Sequence, residues 1–119
     1  HIIYSAIDLK NPATNSYKVI SEIIRKKIGF DGLLISDDLS MQALDGMFTD
    51  RTQAALAAGC DAVLHCNGNM SEMREIADSV SYISDNSIVR LQRALVLIEK
   101  FETLDRQVAL ERLRELGIN

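Results

Sequence analysis

The sequence predicts a parallel α/β architecture, and three features of the chain lead to this prediction. Short apolar runs alternate with longer amphipathic segments in the order strand, helix, strand, helix, strand and then helices. Two of the runs, in residues 32–36 and 61–66, each contain three consecutive apolar residues without polar alternation, as in strands that are covered on both faces. Both runs lead into polar residues. The order of the runs predicts about three βα units. Their crossovers should be right-handed, as in other parallel strands joined by helices.

The first unit is predicted to contain a strand end and a helix. Residues 1–8 should form the end of a buried strand that runs into a loop. The helix that follows should begin after Asn15 or Ser16, because either side chain can accept a hydrogen bond from a free N–H group of the first turn. It should end at Gly29, which follows three basic residues and can adopt a left-handed conformation.

The second half of the chain is predicted to be mostly helical. An alanine-rich helix over residues 51–58 should end at Gly59, and another helix should begin at about Ser71, after the strand of residues 61–66. Apolar residues at helical spacing then predict helices over 87–101 and 105–116. Residues 87–119 should therefore form a helical C-terminal cap.

Composition limits the classes of function. The 119 residues, 47% of them hydrophobic, suffice for one modest core, so the chain is one domain or part of one. Lysine and arginine form no basic cluster and aromatic residues make up only 5%, which disfavours nucleic acid as a partner. The apolar runs are far shorter than the roughly 20 residues that cross a bilayer. The chain opens at His1 and not at Met, as expected for the interior of a longer protein.

The two cysteines are predicted to be free thiols. Cys60 and Cys66 flank a predicted strand, and six residue steps of about 3.3 Å separate them by roughly 20 Å, which is beyond the reach of a disulfide. Only His65 lies near them as a further metal ligand, so a zinc site is also disfavoured.

Asp37 and Asp38 are the main candidates for chemistry. They follow a buried strand, at the end where parallel α/β barrels carry their active sites. Successive side chains of a strand point to opposite sides, so only one of the two can face a pocket. The sequence leaves two interpretations open: a carboxylate that binds the backbone of the following turn, or a nucleophile or base at a pocket mouth.

Residues 28–41, Ile-Gly-Phe-Asp-Gly-Leu-Leu-Ile-Ser-Asp-Asp-Leu-Ser-Met, resemble the nucleophile segment of family 3 glycoside hydrolases. In that family a Gly-Phe-x-Gly stretch and an apolar strand precede Ser-Asp or Thr-Asp. The flanking segments are similar to the bacterial β-N-acetylhexosaminidase, or β-N-acetylglucosaminidase, branch in order and spacing, namely residues 1–4, 12–14, 57–61 and 64–67. The resemblance covers about residues 1–75.

The resemblance implies that the chain is the C-terminal portion of a (β/α)₈ TIM-type barrel. It implies a retaining hydrolase that removes terminal β-N-acetylglucosamine from peptidoglycan-derived muropeptides in the cytoplasm, with Asp37 as the nucleophile and without cofactor or metal. The family branch places its acid/base His on an upstream loop, and neither His1 nor His65 lies in such a motif. The expected partners are therefore the carbohydrate and the N-terminal part of the same barrel, on the same or a separate chain.

Two further residues are candidates for substrate contacts. His65 lies at a strand end and could line the pocket, although a lone histidine there more often has a structural role. Met41 could contact the sugar or simply pack. Two other functions remain open. Residues 67–69, Asn-Gly-Asn, open a helix and could bind phosphate in a different barrel enzyme, and the chain could be a non-catalytic structural fragment with open strand edges.

Overall fold

A computed structural model of the chain describes residues 1–98 and 105–117. A 3₁₀ turn at Ala13–Asn15 leads into a π-helix. Two strands each precede a helix, and two further helices follow. In chain order the elements are the π-helix Lys18–Lys27, β1 Ile35–Asp38, α1 Phe48–Ala58, β2 Ala62–Leu64, α2 Met70–Ser79, α3 Asp85–Ile98 and α4 Arg106–Glu115.

Strands β1 and β2 pair in parallel, and α1 forms the crossover between them. Ile35 lies opposite Ala62 and Asp38 opposite Leu64, with an irregularity between these two positions. The predicted parallel α/β architecture is therefore confirmed for two strands and five helices. Strand β1 lies further along the chain than predicted, so that Asp37 and Asp38 are part of it.

The prediction of a strand end within residues 1–8 is wrong. These residues are irregular or form a turn, and Ile2 is 62% exposed. A strand needs a hydrogen-bonded neighbour, and in the described residues the carbonyl of Ile2 accepts instead from the N–H of Ala13 at 2.8 Å. The prediction that β1 is covered on both faces is also wrong for the described residues, because Ile35 is 50% exposed.

The glycines predicted to end the first two helices are confirmed, whereas the second helix begins at Phe48 and not at residue 51 as predicted. The hydroxyl of Ser16 accepts from the N–H of Val19 at 3.2 Å, and Gly29 has a φ of 77°. Gly59 ends α1 with a φ of 116°. The wide winding of the π-helix, in which the N–H of Ile28 bonds to the carbonyl of Ile23, was not predicted, since apolar spacing does not distinguish it from an α-helix.

The core is small and lies between the π-helix, α1 and the sheet. Ile20, Ala55, Ala58 and Cys60 are buried together, and the partly buried side chains of Ile24, Leu34 and Val63 pack against them. Helix α3 corresponds to the predicted helix 87–101, whose last three residues lie outside the described part, and α4 corresponds to 105–116. None of the described helices is long and apolar enough to cross a membrane.

Candidate active site

Asp37 presents its carboxylate to solvent at the edge of β1. The side chain is 53% exposed, and its Oδ1 accepts from the backbone N–H of Asp38 at 2.8 Å. The α-amino nitrogen of His1 lies 3.4 Å from Oδ2. Asp37 also lines a cavity of about 150 Å³, whose other walls are formed by Ala13, Thr14, Ile20, Ile24, Leu34, Ile35, Ser36 and Cys60. One carboxylate oxygen is thus held in place while the side chain stays accessible.

Asp38 points to the other side of the strand and binds backbone there. Its Oδ1 accepts from the N–H of Ser40 at 2.9 Å and from that of Cys66 at 3.0 Å. Its Oδ2 accepts from the hydroxyl of Ser40 at 2.6 Å. The Ser40 hydroxyl and N–H lower the pKa of the Asp38 carboxyl, against the opposing effect of burial. Asp38 therefore has the backbone-binding role that the sequence allowed for one member of the pair.

His1 lies across the end of β1, next to this pair. Its Nδ1 is 2.8 Å from the hydroxyl of Thr14, and its Nε2 is 2.8 Å from the carbonyl oxygen of Asp38. Since a carbonyl only accepts, Nε2 donates in this contact. No local sequence pattern indicates these two contacts, because they join residues that are 13 and 37 positions apart.

His65 is directed into the helical layer. Its side chain is 6% exposed, its Nε2 lies 2.8 Å from Oε2 of Glu72, and its ring meets that of Phe48 edge-on at 5.5 Å between centroids. It is absent from the lining of the cavity beside Asp37. This geometry agrees with the structural interpretation of His65, and its contact with a sugar stays a prediction.

Met41 lies in the turn after β1 with its side chain 42% exposed. Its backbone N–H bonds to the carbonyl of Asp38 at 3.3 Å, and its own carbonyl accepts from Nη1 of Arg51 at 3.3 Å. The turn is thereby attached to both β1 and α1. A contact between Met41 and the sugar also stays a prediction.

The β2–α2 loop, residues 65–69, leaves little room for a phosphate. Oδ1 of Asn69 accepts from the N–H of Ser71 at 3.0 Å and so caps α2. The carboxylate of Glu72 lies over the same helix end and accepts from the side-chain amides of Asn67 and Asn69. Hydrogen bonds from His65 and Asn67 lower the pKa of the Glu72 carboxyl, so it is ionised at neutral pH. A phosphate here would meet a negative charge, which disfavours the alternative of a phosphate-binding barrel.

An ionic cluster around Asp61 was not predicted. The side chain of Asp61 is 2% exposed and contacts Arg25 at 2.7 Å and Arg90 at 3.0 Å. It also accepts from the N–H of Leu34 and the hydroxyl of Ser87. Because Asp61 precedes β2, the cluster lies at the opposite end of the sheet from Asp37 and attaches α3 to it. The partners are up to 36 residues away in sequence, so no local pattern indicates them.

Both cysteines are free thiols, Cys60 buried and Cys66 exposed. Burial raises the pKa of the Cys60 thiol to about 11, which makes it a poor nucleophile. Among residues 1–98 and 105–117, no three His, Cys, Asp or Glu side chains are grouped closely enough to hold a metal ion.

The sequence of this chain matches a known protein family. The model of the glycosyl hydrolase family 3 N terminal domain matches residues 1–95. This stretch contains both strands, Asp37, Asp38 and the cavity beside Asp37. This chain belongs to glycosyl hydrolase family 3. The resemblance found in residues 28–41 is thus confirmed, and the chain is an α/β piece of the TIM-like domain of that family.

Curated relatives of this family 3 segment are bacterial β-hexosaminidases. It is 48% identical over 69 residues to the β-hexosaminidase of Bordetella avium, a match that covers 56% of this chain and 19% of that protein. With the β-hexosaminidase of Methylobacillus flagellatus it shares 40% identity over 95 residues, which is 78% of this chain and 27% of the relative. The matched part is therefore about one fifth of the length of the first of these relatives.

Solved structures of the family have the same local fold. Native NagZ from Neisseria gonorrhoeae superposes with a TM-score of 0.67 at 28% identity, over 98% of this chain and 32% of that one. The β-N-acetylglucosaminidase from Thermotoga maritima superposes with a TM-score of 0.53 at 27% identity, over 88% of this chain and 30% of the other. The family 3 segment thus corresponds to about a third of such a chain.

Proposed function

We propose that this chain supplies the nucleophile segment of a retaining β-N-acetylglucosaminidase, with Asp37 as the nucleophile. The observation that carries the proposal is the contrast between the two aspartates. Asp37 is accessible beside a cavity and has one oxygen fixed by a backbone N–H, whereas both oxygens of Asp38 are engaged by Ser40 and Cys66. Of the two, Asp37 has the more available oxygen, because its Oδ2 has a single long contact, 3.4 Å from the α-amino nitrogen of His1.

The proposed reaction has two steps. A carboxylate oxygen of Asp37 forms a bond to the anomeric carbon while the bond to the leaving-group oxygen breaks, and an acid protonates that oxygen. Water, deprotonated by the same group, then attacks the anomeric carbon and releases the Asp37 carboxylate. The N–H of Asp38, 2.8 Å from Oδ1 of Asp37, holds the Asp37 carboxylate in one orientation for the attack.

The acid/base is assigned to neither histidine of this chain. Nε2 of His1 is engaged by the Asp38 carbonyl, and His65 is buried against Phe48 and Glu72. We propose that the remainder of the barrel supplies this group, together with most contacts to the sugar. In residues 1–98 and 105–117 the sheet has two strands, so each strand has an edge with no neighbour there, and such edges favour pairing with further strands. In this proposal residues 1–119 are the C-terminal part of one catalytic barrel, and 87–119 form its helical cap.

The proposed substrate is a terminal, non-reducing β-N-acetylglucosamine residue, as in peptidoglycan-derived muropeptides, and the proposed setting is cytoplasmic peptidoglycan recycling. Support for the sugar comes from the resemblance of residues 28–41 and from the relatives, which bear the names β-hexosaminidase and β-N-acetylglucosaminidase. The muropeptide and the cytoplasmic setting rest on the resemblance to the bacterial branch alone.

The proposal is tested by removing the nucleophile and replacing it with a small anion. In the assembled enzyme, Asp37→Ala should lower the hydrolysis of 4-nitrophenyl N-acetyl-β-glucosaminide by roughly 10³-fold or more. Added azide should restore turnover by attacking the anomeric carbon from the vacated side, and the product should be the α-glycosyl azide. Asp78→Ala, at an exposed aspartate of α2, is the control and should keep normal activity. A β-glycosyl azide, or an active Asp37→Ala enzyme, would refute the assignment.

A further inference from the structure

The β2–α2 loop is gathered around one carboxylate, that of Glu72. Oε2 accepts from Nε2 of His65 at 2.8 Å and from Nδ2 of Asn67 at 2.7 Å, and Oε1 accepts from Nδ2 of Asn69 at 3.1 Å. Because Glu72 belongs to the first turn of α2, these bonds attach the loop to a rigid element at both of its ends.

The same loop reaches the strand that carries Asp37. The backbone N–H of Cys66, the residue after His65, donates to Oδ1 of Asp38 at 3.0 Å. The N–H of Asp38 in turn donates to Oδ1 of Asp37 at 2.8 Å. A continuous series of bonded groups therefore leads from Glu72, through His65, Cys66 and Asp38, to Asp37.

The imidazole of His65 is an unfavourable group to bury at this position. Its ring packs against Phe48, and in the part of the chain that the structure describes its buried Nδ1 has no hydrogen-bond partner. A buried polar atom without a hydrogen-bond partner destabilises the fold, and a leucine at this position would avoid this cost. What the imidazole adds is the Nε2 donor to Glu72, so this contact is the feature that needs a functional explanation.

We propose that His65 and Glu72 are positioning residues for the nucleophile. The pair holds the end of β2 so that Cys66 fixes Asp38, and Asp38 fixes the carboxylate of Asp37 in the orientation for attack. This inference rests on the proposed function of Asp37. Loss of the pair leaves the nucleophile present but less well oriented, so it lowers kcat and changes KM little.

Helix α2 offers a matched control for Glu72. Glu75 lies one turn further along the same helix and also binds a neighbouring element, since its Oε1 accepts from the N–H and hydroxyl of Thr49 at 3.1 and 3.3 Å. In the assembled enzyme, Glu72→Ala should lower kcat roughly tenfold with KM within about twofold of normal. Glu75→Ala should leave both constants within about twofold, although it too removes a contact between elements.

Two substitutions of His65 distinguish the effect of its N–H donor from the effect of its size. His65→Gln keeps an N–H donor near the position of Nε2 and should retain most of kcat, whereas His65→Leu should lower kcat as Glu72→Ala does. The double variant His65→Leu with Glu72→Ala should be no slower than either single variant, because both remove the same contact. If the Leu variant fails to fold, Glu72→Met removes the oxygen that accepts from His65 with little change in side-chain size.

Equal kcat values for Glu72→Ala and Glu75→Ala would overturn the inference, and so would equal kcat values for His65→Gln and His65→Leu. The Asp37→Ala variant identifies which proposal has failed. An active Asp37→Ala enzyme refutes the proposed function. An inactive Asp37→Ala enzyme combined with an unaffected Glu72→Ala enzyme refutes only the role of His65 and Glu72.

Discussion

The carboxylate of Asp38 accepts a hydrogen bond from the backbone N–H of Cys66 at 3.0 Å, and this bond joins the ends of the two strands. Asp38 also receives the N–H and the hydroxyl of Ser40. The two neighbouring aspartates thus have different roles in the fold: Asp38 joins the carboxyl ends of the two strands, while Asp37 remains accessible.

Replacement of Asp38 should affect stability according to how many acceptors are lost. Asp38→Asn keeps one oxygen for the N–H groups of Ser40 and Cys66, and its amide can donate to the Ser40 hydroxyl, so we expect a loss below about 1 kcal/mol. Asp38→Ala leaves all three donors without their acceptor and should cost about 1–3 kcal/mol. Urea unfolding of both variants measures the difference. Equal stabilities would mean that these bonds do not hold the strand ends together.

The Asp61 cluster should contribute more to stability than the surface ion pairs of Asp31. Asp61→Ala leaves the buried ends of Arg25 and Arg90 without their carboxylate, and we expect a loss of about 3 kcal/mol in the free energy of unfolding. Asp31 contacts Arg90 and Arg93, but its side chain is 64% exposed. Asp31→Ala should therefore destabilise the protein much less than Asp61→Ala. Similar losses of unfolding free energy in Asp61→Ala and Asp31→Ala would mean that burial does not strengthen the Asp61 ion pairs.

Acid should destabilise the protein partly through Asp61. Burial opposes ionisation of this carboxyl, but the N–H of Leu34, the Ser87 hydroxyl and the two arginines together lower its pKa below the ordinary value of 3.8. The unfolded chain then binds a proton at a higher pH than the folded one, so the stabilisation is present above about pH 4 and is lost as the pH falls below it. Asp61→Asn should flatten this part of the stability curve. Parallel curves of stability against pH for the original protein and Asp61→Asn would contradict the lowered pKa of Asp61.

Gly59 is expected to tolerate no side chain. Its φ of 116° is unfavourable for other residues, and a Cβ there would lie 3.0 Å from the hydroxyl oxygen of Ser21 and 3.1 Å from Cγ2 of Ile20. Gly68 has a φ of 74° but no atom within 4 Å of such a Cβ. Gly68→Ala should cost about 1–2 kcal/mol from backbone strain alone, and Gly59→Ala should cost more. Thermal unfolding compares the two, and a Gly68→Ala protein that is the less stable of the pair would contradict this account.

Local patterns were sufficient to predict the elements whose cause is local. The left-handed conformations of Gly29 and Gly59 follow from their positions after helical segments, and the parallel pairing follows from two apolar runs joined by a helix. The strand predicted at residues 1–8 failed because strand formation depends on a neighbour, which an apolar run does not reveal.

The candidate site was predictable only in part, for the same reason. The resemblance of residues 28–41 made Asp37 the candidate nucleophile, and strand alternation predicted that only one of Asp37 and Asp38 could face a pocket. The contacts of His1 with Asp38 and of Ser87 with Asp61 join distant parts of the chain. They depend on tertiary packing, so neither composition nor spacing could indicate them.

The central claim is that Asp37 forms a covalent bond to the sugar. The most direct measurement treats the assembled enzyme with 5-fluoro-N-acetylglucosaminyl fluoride, whose fluorine at C5 slows release of the glycosyl-enzyme, and then determines the intact mass and maps the labelled peptide. We expect one adduct, located on Asp37. An adduct on Asp38 or on another carboxylate, or no adduct on an enzyme that turns over the substrate, would contradict the account.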